Sequence, residues 1–105
     1  MMPSRTSLIA VTVLGLLSAS AQAATIQITI DKLVFAPAEV KAKVGDTIEW
    51  VNKDALAHTA TGTHGEWNVA IAPNKSARLV LRKAGAFDYY CTYHPNMKGR
   101  LVVAP

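Results

Sequence analysis

Apolar and polar residues alternate with a period of two through much of the chain after residue 24, and this pattern restricts the fold more than any other feature. Ile26, Ile28 and Ile30 are separated by polar residues, and Ile48 and Trp50 repeat the pattern further along. Such alternation predicts strands with one buried face, and no stretch shows helical spacing over about ten residues. The predicted strands cover residues 26–30, 40–44, 47–52, 77–82, 87–91 and 101–103, with a possible further strand at 68–71.

Turn-forming residues separate these strands, and Gly45-Asp46 and Lys83-Ala84-Gly85 are the clearest examples. Short strands at regular spacing with turns between them indicate an all-β sandwich or barrel. Residues 53–75 lack clear alternation apart from the possible strand at 68–71, so we expect this region to consist mainly of loops. We find no internal repeat or linker in the sequence, and we expect one small domain.

The beginning of the chain has the order of a secretory signal peptide. Arg5 lies near the start, a mostly apolar run covers residues 8–17, and small residues follow up to Ala23. We expect cleavage after Ala23, with Ala21 at the other small position of the recognition sequence. The apolar run is too short for a bilayer span, which needs about 20 residues. The sequence therefore predicts a signal peptide at 1–23, export to the periplasm, and a mature domain at 24–105 without a membrane span.

The composition favours a packed globular domain. Apolar residues make up 50% of the chain and charged residues 17%, which is not the composition of a disordered tail. The formal net charge is +4, but the Lys and Arg residues are scattered, so no nucleic-acid-binding patch is indicated. The one cysteine, Cys91, excludes an intramolecular disulfide and a zinc site made of four thiolates. A single thiol in an exported protein indicates either metal binding or inert burial.

Three potential metal ligands follow one another at the end of a predicted strand. Cys91, His94 and Met97 are separated by two residues each, so one short loop can bring a thiolate, an imidazole and a thioether to one point. Soft sulfur ligands combined with imidazole favour copper, and two imidazoles, one thiolate and a weak axial thioether form an electron-transfer copper site. The second imidazole would come from His58 or from His64, which both lie in the irregular region upstream.

These motifs resemble those of the cupredoxins, the small blue copper proteins, and among them most closely those of the amicyanins. Phe35-Ala36-Pro37 and residues 45–52 resemble the first half of the family, and residues 85–91 resemble the strand that enters its copper site. The ligand loop Cys91-x-x-His94-x-x-Met97 has the short spacing of amicyanins, whereas plastocyanins and azurins have at least one longer gap. The resemblance covers about residues 33–103.

The resemblance implies a two-sheet Greek-key β-sandwich that holds one type 1 copper ion. The spacing between Trp50 and His58 is similar to that of amicyanin-like sequences, which favours His58 over His64 as the first histidine ligand. The fourth ligand, the thioether, would bind weakly along the axis and tune the reduction potential. The implied ligand set is His58, Cys91, His94 and Met97.

The resemblance further implies a soluble periplasmic protein that carries single electrons between redox proteins and is not an enzyme. A dehydrogenase would be the electron donor and a c-type cytochrome the acceptor, and we expect the carrier to be a monomer. Partners would dock near His94, Tyr93 and Pro95, on a flat and mostly uncharged surface. Weak redox encounters use small interfaces of this kind.

Two positions depart from the amicyanin pattern, and both lie beside predicted ligands. Thr59 replaces the asparagine that usually follows the first histidine, and Tyr93 replaces the proline that usually precedes the second. Thr59 still offers a backbone N–H to the cysteine sulfur and a hydroxyl that can connect its segment to Thr92. These departures bear on the reduction potential and on the docking surface.

Three other functions share parts of the pattern. The first is a periplasmic copper chaperone or storage protein, but Met97 is the only methionine after residue 24 and Cu(I) storage favours several thioethers. The second is a Cys–His nucleophilic enzyme, which needs a third orienting group and a substrate pocket. The third is an immunoglobulin-like binding module without a metal, in which changing Cys91 would leave function intact.

Overall fold

The computed structural model describes residues 22–105, so that most of the predicted signal peptide, residues 1–21, lies outside the described part. Within residues 22–105 the chain forms strands and no helix, and therefore no helix there is long and apolar enough to span a membrane. The strands are β1 (Thr25–Asp31), β2 (Val34–Ala36), β3 (Glu39–Lys43), β4 (Thr47–Asn52), β5 (His58–Gly62), β6 (Asn68–Ile71), β7 (Ser76–Val80), β8 (Gly85–Tyr90) and β9 (Lys98–Ala104).

The strands form two sheets that enclose one core. The first sheet has the order β2-β1-β4-β7, and the second has the order β3-β9-β8-β5-β6. Most neighbours are antiparallel, but β1 runs parallel to β4 and β3 runs parallel to β9. Parallel neighbours need a crossover rather than a hairpin, and here the chain crosses repeatedly from one sheet to the other between them. The expected all-β sandwich of two sheets is confirmed.

The core is built from the inward-facing residues of the two sheets. Ile28 and Ile30 of β1 and Ile48 and Trp50 of β4 are fully buried, because alternate side chains of a strand point to the same face. From the opposite sheet, the ring of Tyr89 meets the Trp50 ring edge to face, with 5.6 Å between centroids. The Trp50 indole N–H also donates a hydrogen bond to the Tyr89 hydroxyl over 3.4 Å. This aromatic contact joins the two sheets below the ligand loop.

Residues 53–75 contain more regular structure than the sequence indicated. The possible strand at 68–71 is present as β6, and it pairs antiparallel with β5, a strand that the sequence did not predict. β5 has no polar–apolar alternation because His58, Thr59 and Ala60 are all buried in succession. The short edge strand β2 was also not predicted, since it has only three residues.

Candidate metal centre

Three of the predicted ligands converge at one end of the sandwich. His58 is the first residue of β5, Cys91 directly follows β8, and His94 lies in the loop that leads to β9. The Sγ atom of Cys91 is 3.7 Å from Nδ1 of His58 and 3.8 Å from Nδ1 of His94. All three donor atoms lie within 4.8 Å of one another. Segments distant in sequence therefore meet at a single point, where the sulfur and the two imidazole nitrogens form a triangle.

Turn hydrogen bonds give the ligand loop its shape. The N–H of His94 donates to the Cys91 carbonyl over 3.3 Å, and the N–H of Met97 donates to the His94 carbonyl over 2.8 Å. The N–H of Cys91 then closes the loop by donating to the Met97 carbonyl over 3.1 Å. Two successive tight turns thus hold Cys91, His94 and Met97 close together. The Met97 side chain is buried against the core.

The spacing of the donor atoms fits a trigonal metal site. Metal–nitrogen and metal–sulfur bonds of about 2.0 and 2.3 Å, when they meet at 120°, place nitrogen and sulfur roughly 3.7 Å apart. The two observed sulfur–nitrogen distances, 3.7 and 3.8 Å, agree with that arrangement. A thiolate and two imidazoles at these distances, with a thioether on the same loop, form the donor set that suits copper.

The thiol is held between two segments by a hydrogen bond and by a pair of threonines. The backbone N–H of Thr59 donates to Sγ of Cys91 over 3.3 Å. The Thr59 hydroxyl accepts the N–H of Thr92 over 2.9 Å and lies 3.2 Å from the Thr92 hydroxyl. The connection expected between Thr59 and Thr92 is therefore confirmed. Threonine replaces asparagine here without loss of the bond to sulfur or of the contact between the two segments.

Asp54 is a residue of the site that the sequence did not reveal. Its Oδ2 atom lies 2.8 Å from Nε2 of His58, on the opposite side of the ring from the thiol. The same carboxylate accepts the backbone N–H groups of Lys32 and Leu33. Burial acts to raise the pKa of this carboxyl, but the hydrogen bonds from Leu33, His58 and Lys32 outweigh it and keep the pKa below its usual range. The one sign of this contact in the sequence is that Asp54 lies four residues before His58.

The structure also distinguishes the two histidines that the sequence left as alternatives. His58 is buried and lies beside the thiol, whereas the side chain of His64 is 82% exposed and faces Glu66 at 3.8 Å. His64 is not part of the donor cluster within residues 22–105. The geometry therefore favours His58 as the second imidazole.

Burial differs between the two histidines of the cluster. Cys91 and His58 are buried, while His94 is only partly buried. Tyr93 and Pro95, which flank His94 in the sequence, are exposed, and Tyr93 is 63% exposed. His94 thus connects the buried thiol to a surface formed by an aromatic ring and a proline.

Two surface cavities lie outside the donor cluster, and the second of them reaches Pro95 beside His94. One, of about 390 Å³, is lined by residues that include Trp67, Leu79 and Phe87. The other, of about 370 Å³, is lined by residues that include Asp88, Tyr90 and Lys98. Neither is lined by a residue of the donor cluster, so neither places a substrate against the Cys–His pair.

Comparison with known proteins agrees with this geometry. A family model described as a cupredoxin-like domain matches residues 5–103. The chain belongs to the cupredoxin-like family. Among its relatives, amicyanin-alpha from Methylorubrum extorquens is 34% identical over 89 residues, which cover 79% of this chain and 75% of that protein. Copper is the cofactor of this family, and the donor set of this chain fits that metal.

Amicyanins from two further sources are also similar. Amicyanin from Paracoccus denitrificans is 34% identical over 84 residues, which cover 74% of this chain and 64% of that protein, so the match spans slightly less than two thirds of its length. The crystal structure of amicyanin from Paracoccus versutus has a TM-score of 0.67 at 30% sequence identity, covering 82% of this chain and 87% of that chain. Both sequence and fold therefore place this cupredoxin near the amicyanins.

Proposed function

We propose that this cupredoxin is a periplasmic type 1 blue copper protein that carries single electrons between redox proteins. The observation that carries the proposal is the position of the Cys91 sulfur, which lies 3.7 and 3.8 Å from two imidazole nitrogens. Copper bound there would alternate between Cu(II) and Cu(I). The proposed ligands are His58, Cys91, His94 and Met97.

The surroundings of the ligands suit an electron carrier because they restrict movement. His58 is held by the strand pairing of β5 and by Asp54, and Cys91 is held by the Thr59 N–H and by its loop. A site that keeps one ligand arrangement in both oxidation states needs little reorganisation, which favours fast electron transfer. The absence of other methionines after residue 24 supports a carrier rather than a store, since only Met97 offers a thioether.

His94 is the proposed route for the electron between the site and a partner. It is the partly exposed member of the cluster, and its ring lies 5.1 Å from the ring of His58. Tyr93 and Pro95 would form the docking surface beside it. Relatives include a protein named methylamine utilization protein MauL, 31% identical over 82 residues. As the resemblance to the amicyanins implies, we propose a dehydrogenase as donor, a c-type cytochrome as acceptor, and a monomeric carrier between them.

The function is tested by the visible absorption and electron paramagnetic resonance spectra of the exported protein loaded with Cu(II). We expect an intense blue absorption band with narrow copper hyperfine splitting, and we expect Cys91→Ser to abolish both. His58→Ala should also abolish them, whereas His64→Ala, at the exposed histidine outside the cluster, should leave the spectra unchanged. A colourless protein, or spectra that do not depend on Cys91, would contradict the proposal.

The docking surface needs a separate test, because a blue copper site can exist without it. Electron transfer from the reduced protein to a c-type cytochrome is measured for the unmodified chain, Tyr93→Ala and Pro95→Ala. We expect slower bimolecular transfer in both variants with unchanged absorption spectra. Arg78→Ala, on β7 of the opposite sheet, serves as a control that should transfer electrons at the original rate. Equal rates in all four proteins would rule out this surface.

A further inference from the structure

The turn between β3 and β4 holds a carboxylate that faces Ala24, just before β1. Asp46 is 3% exposed. Its Oδ1 atom accepts a hydrogen bond from the backbone nitrogen of Ala24 over 2.9 Å. Its Oδ2 atom accepts the N–H of Lys43 over 3.0 Å. These two bonds are the largest causes that lower the pKa of Asp46 below its ordinary value.

Both partners of this contact are fixed by backbone hydrogen bonds. The carbonyl of Ala24 accepts the N–H of Thr47 over 2.8 Å, at the beginning of the parallel β1–β4 pairing. The carbonyl of Asp46 accepts the N–H of Leu81, and the carbonyl of Leu81 accepts the N–H of Gly45. The Ala24 nitrogen and the Asp46 carboxylate are therefore positioned by the strands themselves.

Ala24 is also the first residue after the predicted cleavage site. Hydrolysis of the Ala23–Ala24 peptide bond by a signal peptidase consumes one water molecule and leaves a carboxylate on Ala23 and an amine on Ala24. An α-amine has a pKa near 8 and is mainly protonated at neutral pH. Cleavage would therefore turn the amide donor at 2.9 Å from Asp46 into an ammonium group at the same place.

We propose that Asp46 is the binding site for the N-terminal ammonium group of the processed chain, so that removal of the leader creates an ion pair that fastens β1 to the β3–β4 turn. Within residues 22–105 no lysine or arginine side chain forms an ion pair with Asp46. Lys43 is the charged side chain that acts on this carboxylate, and it does so without direct contact. The new ammonium group supplies the missing charge, and a hydrogen bond between charged groups is stronger than one from an amide.

The position of cleavage matters, because each residue of extended chain adds about 3.3 Å. A terminus one residue earlier would carry its charge away from Asp46 and leave only the neutral Ala24 amide there. Gln22, Ala23 and Ala24 are exposed, so an additional residue would not be excluded by packing.

The test uses the full chain, exported from a bacterial host. The N-terminal residue of the exported protein is determined by mass spectrometry, and we expect Ala24. A second full chain carries one serine inserted between Ala23 and Ala24, so that processing after Ala23 leaves the charge one residue away. We expect the insertion to raise the unfolding equilibrium constant at neutral pH by about three- to tenfold.

The same insertion is then made in Asp46→Asn and in the control Glu49→Gln, which neutralises a carboxylate of β4 that is bonded to Arg78 and Gln27 instead. The effect of the insertion should vanish in Asp46→Asn and persist in Glu49→Gln. A different N-terminal residue, no effect of the insertion, or an equal effect in Asp46→Asn would each overturn the proposal.

If Asp46→Asn does not fold, the pKa of the α-amine is measured by NMR titration in the unaltered exported protein instead. The ion pair requires a pKa above the ordinary value of about 8 for this group. While Asp46 is ionised, the stabilisation by the ion pair is complete at pH values just below about 8. It is lost as the pH rises through the folded-state pKa of the α-amine, which is the higher of the two values. An ordinary pKa would overturn the proposal as well.

Discussion

Asp54 connects His58 to the turn between β1 and β2. Its Oδ2 atom lies 2.8 Å from Nε2 of His58, while the same carboxylate accepts the N–H groups of Lys32 and Leu33 at 2.7 and 3.1 Å. Lys32 and Leu33 have positive φ angles of 52° and 63°, which are unfavourable for residues with a side chain. When Nε2 of His58 carries the ring proton and donates a hydrogen bond to Asp54, Nδ1 is unprotonated and can face Cys91. The Asp54 carboxylate therefore stabilises the β1–β2 turn and also fixes the tautomer of the His58 ring.

This arrangement predicts the effect of Asp54→Ala on metal binding. Loss of an outer-shell partner of a metal-binding histidine lowers metal affinity by about 10- to 100-fold, because ring orientation and tautomer are no longer fixed. We expect this loss for copper in a competition titration against a chelator. Asp31→Ala, which removes an exposed carboxylate of β1, is the control and should bind copper as before. Unchanged affinity in Asp54→Ala would mean that the strand pairing of β5 alone positions His58.

The Thr59–Thr92 contact gives a second prediction. Thr59→Val keeps the side-chain shape and the backbone N–H to Cys91, but removes the oxygen that accepts the Thr92 N–H and the Thr61 hydroxyl. We expect a loss of about 1 kcal/mol in the free energy of unfolding, with little change in the cysteine–copper absorption. Thr92→Val keeps that N–H and loses only the contact between hydroxyls, so its effect on urea denaturation should be smaller. Equal losses in the two variants would show that the oxygen accepting the Thr92 N–H contributes little to stability.

The features that the sequence predicted are those encoded by local pattern. Ile28 and Ile30 of β1 alternate with polar residues because one face of that strand is buried, and the ligand loop is visible because three residues of one loop supply it. β5 could not be predicted in this way, since its first three residues are all buried and show no alternation. Asp54 was missed for a related reason: its partners, Lys32 and Leu33, come from a distant turn that only the folded chain brings close.

The buried thioether gives a third prediction. Met97→Leu conserves side-chain volume, so we expect it to lower the free energy of unfolding by less than about 1.5 kcal/mol. It removes the proposed axial donor, which tunes the reduction potential, and we therefore expect a shifted reduction potential by voltammetry. Leu101→Met, an equal-volume change in the buried part of β9, is the control and should leave the potential unchanged. A potential unaffected by Met97→Leu would remove Met97 from the proposed ligand set.

The fourth prediction concerns the close approach of two strands. Gly99 of β9 lies directly opposite Tyr89 of β8, and a methyl group on Gly99 would overlap the Tyr89 ring. The ring is buried between Phe35 and Trp50, so it cannot move aside freely. We expect Gly99→Ala to lower the free energy of unfolding by about 1–3 kcal/mol, as overpacking usually does. Ala86→Gly, at an exposed position of β8, should change it less in thermal denaturation.

The fifth prediction is the alkaline limit of stability. Burial raises the pKa of Tyr89 from 10.0 to about 12, and the hydrogen bond from Trp50 opposes this only in part. Because the pKa of Tyr89 is higher in the folded than in the unfolded state, the neutral phenol contributes its full stabilisation of the folded state below pH 10. That contribution is lost as the pH rises towards 12. The unmodified protein should therefore lose stability over this range more steeply than Tyr89→Phe, which has no phenol to ionise at this position.

Urea denaturation from pH 9 to 12 measures this difference. The gap in unfolding free energy between the unmodified protein and Tyr89→Phe should change by on the order of 2 kcal/mol in favour of the variant. At neutral pH the variant should be less stable by about 1 kcal/mol, because the Trp50 N–H loses its acceptor. Tyr93→Phe, at a position that is 63% exposed, should behave like the unmodified protein. Parallel pH profiles for all three proteins would show that the Tyr89 phenol is not what limits stability at high pH.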